Sequence, residues 1–238
     1  MFKKTIFAVA FAALAMGGLA QAQNVQLFYD FGKDRQYVTT TFEMFKGDKF
    51  GDTFFFIDHY YTQSAQRPDV SSAINGSYFE IERGINFWQD SALKDLSLHL
   101  EYDGSTWGAA IVCVGAKYFL HSADFDNTLS LYLMYDQHIG VGKADIPVKF
   151  TAVWGMNNLF GVNGLTFKGF CDVWGNNSVF ADLSTAKFSV LSEPQLWMNL
   201  GSAFDHHLDI GGEVELSYNF AGHKGFMCNP CAGIRWTF

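Results

Sequence analysis

The sequence predicts an all-β fold, a transmembrane antiparallel up-and-down β-barrel of about twelve strands, and three observations lead there. Short segments alternate apolar and polar residues with a period of two, the signature of strands with one oily and one wet face. Aromatic residues make up 17% of the chain and gather towards the ends of these segments, while aliphatic residues fill their middles. Beyond a short leader, no run reaches the roughly 18 apolar residues that a spanning helix needs. A membrane-resident chain of this kind has one way to pair its whole backbone, a closed ring of strands.

In chain order, residues 1–22 read as a secretory signal peptide, cleaved near Ala22. Lys3 and Lys4 supply the charged start, Ile6 to Leu19 the apolar stretch, and Ala20, Gln21 and Ala22 a small-x-small cleavage site. The apolar stretch is short for a retained anchor, and no cysteine follows the cleavage site to carry a lipid. Residues 23–238 are expected to form one outer-membrane barrel domain.

The first strand, NVQLFYDFG, places Val25, Leu27, Tyr29 and Phe31 on one face and Gln26 and Asp30 on the other. YVTTTFEMF sets Val38, Phe42 and Met44 against Thr39, Thr41 and Glu43. LSLHLEYD alternates Leu96, Leu98, Leu100 and Tyr102 with Ser97, His99, Glu101 and Asp103. TLSLYLMYD sets Leu129, Leu131, Leu133 and Tyr135 against Thr128, Ser130, Tyr132, Met134 and Asp136. DIGGEVELSYNF opposes Ile210, Val214, Leu216, Tyr218 and Phe220 to Asp209, Glu213, Glu215, Ser217 and Asn219. Weaker segments near 51–62, 76–87, 107–119, 146–154, 164–175, 187–200 and 229–238 bring the expected count to twelve, an even number that returns both chain ends to the periplasmic side. GKDR, KGDKFG, DGST, GMNNLFGVNG and AGHKG supply the Gly, Asn and Asp of the reversals. The longest polar connection, Gln63 to Asn75, is expected to be extracellular.

A secreted β-sandwich or a soluble barrel would alternate too. Its polar positions would face bulk water, whereas here the aliphatic middles and aromatic ends fit a hydrocarbon band with interfacial girdles. Two residues resist the pattern. Pro194 inside LSEPQLWMNL forfeits a ladder hydrogen bond unless a bulge absorbs it. Arg83 falls on the oily parity with Phe79, Ile81 and Ile85, and is expected at an interface or at a register shift.

The formal charge of −8 argues against nucleic acid or an anionic lipid surface as partner, because both demand a basic footprint. The four cysteines are Cys113, Cys171, Cys228 and Cys231. The last two form a C-x-x-C without the second pair or the histidines of a zinc set, and read as incidental or as a local bridge at a strand mouth. No metal and no cofactor are expected.

QNVQLFYDFG, FFFIDHYY, VLSEPQLWMNL, GGEVELSYNF and the terminal CAGIRWTF together resemble the Tsx-like group of nucleoside-specific channel-forming outer-membrane proteins, nearest to an uncharacterised branch beside it. The resemblance covers nearly the whole mature chain and implies a monomeric, narrow, twelve-stranded channel. It also implies that the last strand, ending in Phe238, is read by the barrel assembly machinery.

Twelve strands about 4.8 Å apart and tilted about 40° enclose a cylinder roughly 24 Å across, leaving on the order of 10 Å inside the side chains. The expected lining and solute-binding residues are Phe56, Asp58, Tyr60, Glu80, Glu82, Glu101, Tyr132, Asp172, Trp174, Trp197, Glu213, Glu215 and Arg235. Glu43, Asp103, Asp136, Lys149, Lys168, Phe54 and Phe170 share their parity. Such a lumen focuses cations and repels anions, and its rings offer faces to a base or sugar. The expected function is passive or facilitated diffusion of a small neutral or cationic solute, nucleoside-like in type; a plugged structural or surface-binding barrel is the alternative. A hydrolase is less favoured and the chain is not expected to be an enzyme. Asp58 and His59 point to opposite faces, and Asp205, His206 and His207 lie in a turn with no serine partner in view.

Overall fold

The structure is a computed structural model and describes residues 22–33, 35–61, 74–108, 110–140 and 144–238. All but the last residue of the expected signal peptide, and most of the Gln63–Asn75 connection, lie outside the described residues. Thirteen strand segments follow one another: β1 (Ala22–Asp30), β2 (Val38–Asp48), β3 (Gly51–Tyr61), β4 (Ile74–Ile85), β5 (Leu96–Ser105), β6 (Ala110–His121), β7 (Asn127–Ile139), β8 (Val148–Met156), β9 (Leu165–Gly175), β10 (Phe188–Ser192), β11 (Gln195–Asn199), β12 (Leu208–Tyr218) and β13 (Phe226–Thr237). Apart from β10 and β11, which do not pair with each other, each pairs antiparallel with its neighbours in sequence, and β13 returns to pair with β1, Asn24 opposite Thr237, closing the ring. β10 and β11 are two halves of one stave, because both lie between β9 and β12. The barrel therefore has twelve staves, as the alternation predicts.

The interruption between the halves is Glu193-Pro194, and it is not a bulge. Ser192 pairs with Cys171 and Gln195 with Lys168, so the two intervening residues, Glu193 and Pro194, oppose two on the other strand, Phe170 and Gly169, and the register is unbroken. Glu193 N donates to Phe170 O at 3.1 Å and Pro194 O accepts from Val214 N at 3.0 Å. The proline omits only the return bond, for which it has no N–H. Gly169 faces it across the ladder with φ +156°, and a Cβ there would meet Glu193 O at 2.4 Å.

Arg83 sits without any register shift near the end of β4 that carries the chain termini. Its guanidinium donates to both carboxylate oxygens of Asp48, at 2.9 Å each, and to Thr53 Oγ1 at 2.9 Å. The register-shift expectation is thus withdrawn in favour of the interfacial one: Asp48 closes the two-residue β2–β3 turn, where a charge pair reaches water.

Burial is inverted relative to a water-soluble protein. The inward positions of β5, Ser97, His99, Glu101 and Asp103, are buried, whereas Leu98 is 55% exposed and Leu133 on β7 is 62% exposed. A chain that buries its carboxylates and presents leucine outward matches a hydrocarbon surround with a polar interior. No helix among the described residues is long and apolar enough to cross a membrane.

Candidate functional site

Because side chains alternate along each strand and registers are continuous, the inward set follows from the cross-strand pairs. Thr41, Asp58 and Tyr78 form one such row, Glu43, Phe56, Glu80 and Asp103 another, and Phe54, Glu82, Glu101 and Cys113 a third. Across the ring, Lys149 is central: its Nζ lies 2.7 Å from Glu101 Oε1, 3.2 Å from Asp172 Oδ2 and 3.8 Å from Asp103 Oδ2. His99 Nε2 lies 3.2 Å from Glu101 Oε2 and 3.6 Å from Glu82 Oε2. Elsewhere Lys117 pairs with Asp52 at 2.6 Å, Lys168 with Glu43 at 3.3 Å, Arg235 with Asp209 at 3.0 Å and Arg35 with Glu215 at 2.6 Å.

A cavity of about 980 Å³ occupies the half of the barrel nearer the chain termini. It begins among the turn residues Asp48, Gln89, Asp95 and Phe125 and reaches inward to Asp58, Glu80, Lys149, Glu193 and Glu213. At the opposite end the connection between β9 and β10 forms a small bridged loop, Val179 opposite Thr185, and buries Phe180 and Ala186. Lys187 and Asn177 of that loop reach Asp145 in the β7–β8 connection at 3.1 and 3.3 Å, and Lys224 of the β12–β13 turn reaches Asp182 at 2.7 Å. Burial also pushes the Tyr37 hydroxyl in the β1–β2 connection at this end up to about 12.

All thirteen residues singled out from the sequence have the inward parity, but they separate into two groups. Phe56, Asp58, Glu80, Glu82, Glu101, Tyr132, Asp172 and Glu213 line the cavity. Tyr60, Trp174, Trp197, Glu215 and Arg235 are occupied by protein contacts instead. Trp197 is fully buried between Phe28, 5.6 Å away, and the Arg235 guanidinium, 4.7 Å above its ring, and it packs over Gly211, where a Cβ would come within 2.8 Å of the indole. Its faces are therefore closed to a stacked solute. Glu215 is held by Arg35 and Asn229, Tyr60 donates to Asp58 at 3.3 Å, and Trp174 meets Phe220 edge-on at 5.9 Å.

Sequence parity missed Glu193, since Pro194 beside it hides the alternation, and passed over Asp52, Lys117 and Arg35. The first three line the cavity. Cys228 and Cys231 lie inside β13, three positions apart and therefore on opposite faces, so the local-bridge reading gives way to the incidental one; all four cysteines are free. One pair on the outer face also escaped notice: His59 Nδ1 and Ser77 Oγ are 2.7 Å apart in directly opposed positions of β3 and β4.

The fold and this lumen define a membrane β-barrel of the outer-membrane type. The chain belongs to the family described as Domain of unknown function (DUF5020), whose model matches residues 22–238. No curated protein sequence matches it. Among solved structures it is similar to the NanC porin, with 11% identity, TM-score 0.56, and coverage of 91% of this chain and 100% of that one. It is also similar to outer membrane phospholipase A from Escherichia coli, with 9% identity, TM-score 0.55, and coverage of 91% and 93%. The calcium-bound dimer of the Salmonella typhi outer membrane phospholipase matches with 10% identity, TM-score 0.55, and coverage of 93% of each chain. At such identities the likeness is one of fold.

Proposed function

We propose that this barrel is an outer-membrane channel through which small neutral or cationic solutes diffuse passively, with nucleoside-like molecules as the favoured class. The observation that carries the reading is the charge of the cavity wall: eleven carboxylates, among them Asp52, Asp58, Glu193 and Glu213, stand against four lysines. A confined wall of that sign concentrates cations and excludes phosphorylated solutes. Phe54, Phe56 and Phe170 lie on the same wall and offer ring faces, each worth about 1–3 kcal/mol to a stacked base, whereas Tyr132 is buried with Lys117 over its ring. The chain would work as a monomer in the outer membrane, delivered there by the assembly machinery through the strand that ends in Phe238.

Planar-bilayer recording of the purified protein tests the reading. Discrete, cation-preferring conductance that a nucleoside blocks supports it, and a silent bilayer overturns it. A silent bilayer would favour a second reading, a plugged barrel, to which the buried Phe180 and Ala186 at the far end lend weight. Catalysis is not part of the proposal. Among the described residues no carboxylate is hydrogen-bonded to the His59–Ser77 pair, and a fluorogenic phospholipid should stay uncleaved by the wild type and by Ser77→Ala alike.

A further inference from the structure

Among the described residues the lysines and arginines of the staves face unevenly. Lys117, Lys149, Lys168 and Arg235 turn inward and are paired there with carboxylates. Lys46 on β2 and Arg83 on β4 alone turn outward, since Phe45, Gly47 and Glu82 beside them line the cavity.

The two outward cations stand in a single cross-strand row. Lys46 opposes Thr53 on β3, and Thr53 opposes Arg83. The row lies beside the two-residue β2–β3 turn, at the end of the barrel that carries the chain termini. Two residues further along the strands, roughly 7 Å, the next outward row is Met44, Phe55 and Ile81. The cations therefore mark the edge of the hydrocarbon band, at headgroup depth, with an apolar strip above them. On the turn side the patch is bordered by Phe50 and Phe87, whose rings meet at 5.5 Å and neither of which lines the cavity.

The donors of this row are only partly used. Arg83 gives two hydrogen bonds to Asp48 and one to Thr53 Oγ1, so its charge is balanced. Asp48 is thereby taken, and Lys46 has no other carboxylate at ion-pair distance among the described residues. Thr53 accepts from Arg83 and keeps its own hydroxyl proton to give. Lys49 in the adjoining turn, its Nζ 4.7 Å from the Phe50 ring centroid, adds to the positive sign. Snorkelling past the turn to water accounts for a lone lysine. It does not account for a hydroxyl and both outward cations gathered in one row, when the other staves present no outward cation.

We propose that Lys46, Thr53 and Arg83 bind the phosphodiester of one anionic phospholipid, of the phosphatidylglycerol kind, on the outer face of the barrel, with its acyl chains along Phe55 and Ile81. A phosphodiester carries one negative charge and answers the surplus cation. A zwitterionic lipid brings an ammonium that the same cation repels, so the charge selects the anionic headgroup. The formal charge of −8 disfavours adsorption from solution onto an anionic surface, whereas an embedded barrel presents only its local sign to a neighbouring lipid. The site lies outside the lumen, so its test stands apart from the channel test.

The protein, folded in detergent, is mixed with phosphatidylglycerol, phosphatidylethanolamine or phosphatidylcholine of matched chains, and retained lipid is counted by native mass spectrometry. One phosphatidylglycerol per barrel is expected to be held in preference to either zwitterionic lipid. Lys46→Gln should weaken retention at least about fivefold and Thr53→Val about threefold, both with the heat-sensitive gel migration of a folded barrel. Lys33→Gln removes the same charge from the β1–β2 connection at the opposite end and should bind as the wild type does. Equal retention of the three lipids, unchanged retention in Lys46→Gln, or an equal loss in Lys33→Gln overturns the proposal. So does displacement of the lipid by inorganic phosphate at the same concentration, which would reduce the patch to a phosphate site. Should Lys46→Gln fail to fold, Thr53→Val decides alone.

Discussion

Lys149 on β8 reaches Glu101 on β5, 2.7 Å away, over the intervening staves β6 and β7. The bridge passes above Cys113 and Met134, both buried, and ties a quarter of the ring to itself through charge instead of through the ladder. Removing one partner of a buried pair leaves the other uncompensated, at a cost of about 3–5 kcal/mol. Lys149→Met is therefore expected to lower the unfolding free energy of the barrel by an amount of that order, read as a lower urea midpoint. Adding Glu101→Gln should recover part of the loss, and a midpoint equal to wild type in the single variant would show the bridge to be idle.

Cation preference should depend on the individual carboxylates of the wall. Asp58→Asn and Glu82→Gln each remove one negative charge from the cavity lining and should shift the reversal potential in a salt gradient towards neutrality. Unchanged reversal potentials in both variants would remove these residues from the conducting path.

Gly169 permits the closest backbone approach around Pro194. A methyl group there would strike Glu193 O and crowd Pro194, so Gly169→Ala is expected to destabilise the barrel by about 1–3 kcal/mol in the same urea assay. A neutral result would mean that the β9–β10 seam yields easily.

The loop at the far end is held by charge. A hydrogen bond from Lys224 keeps the Asp182 carboxyl well below the usual carboxylate range, and one from Lys187 depresses Asp145. Depressed carboxyls contribute fully above their ordinary range, and that contribution is lost as pH falls through the lowered values. Pepsin should accordingly cut near exposed Leu183 readily at pH about 2 and poorly at pH about 4. At neutral pH, Asp182→Asn should speed tryptic cleavage at Lys187 and Lys224; equal rates in variant and wild type would dismiss the tie.

The sequence by itself determined the twelve staves, their facing and the acid-rich interior, because alternation is a local property: Leu98 and Glu101 declare their sides through their neighbours in the chain. Pro194 misled only as to a bulge, and its neighbour Glu193 was hidden by it. Only the tertiary structure decided which inward residues meet. Lys149 and Glu101 are 48 residues apart, and Arg35 and Glu215 are 180 apart. Register and the curvature of the ring bring such pairs together, and neither leaves a mark in any short stretch of sequence. The same holds for Trp197, which reads as an available ring in the chain and is sealed between Phe28 and Arg235 once the barrel shuts.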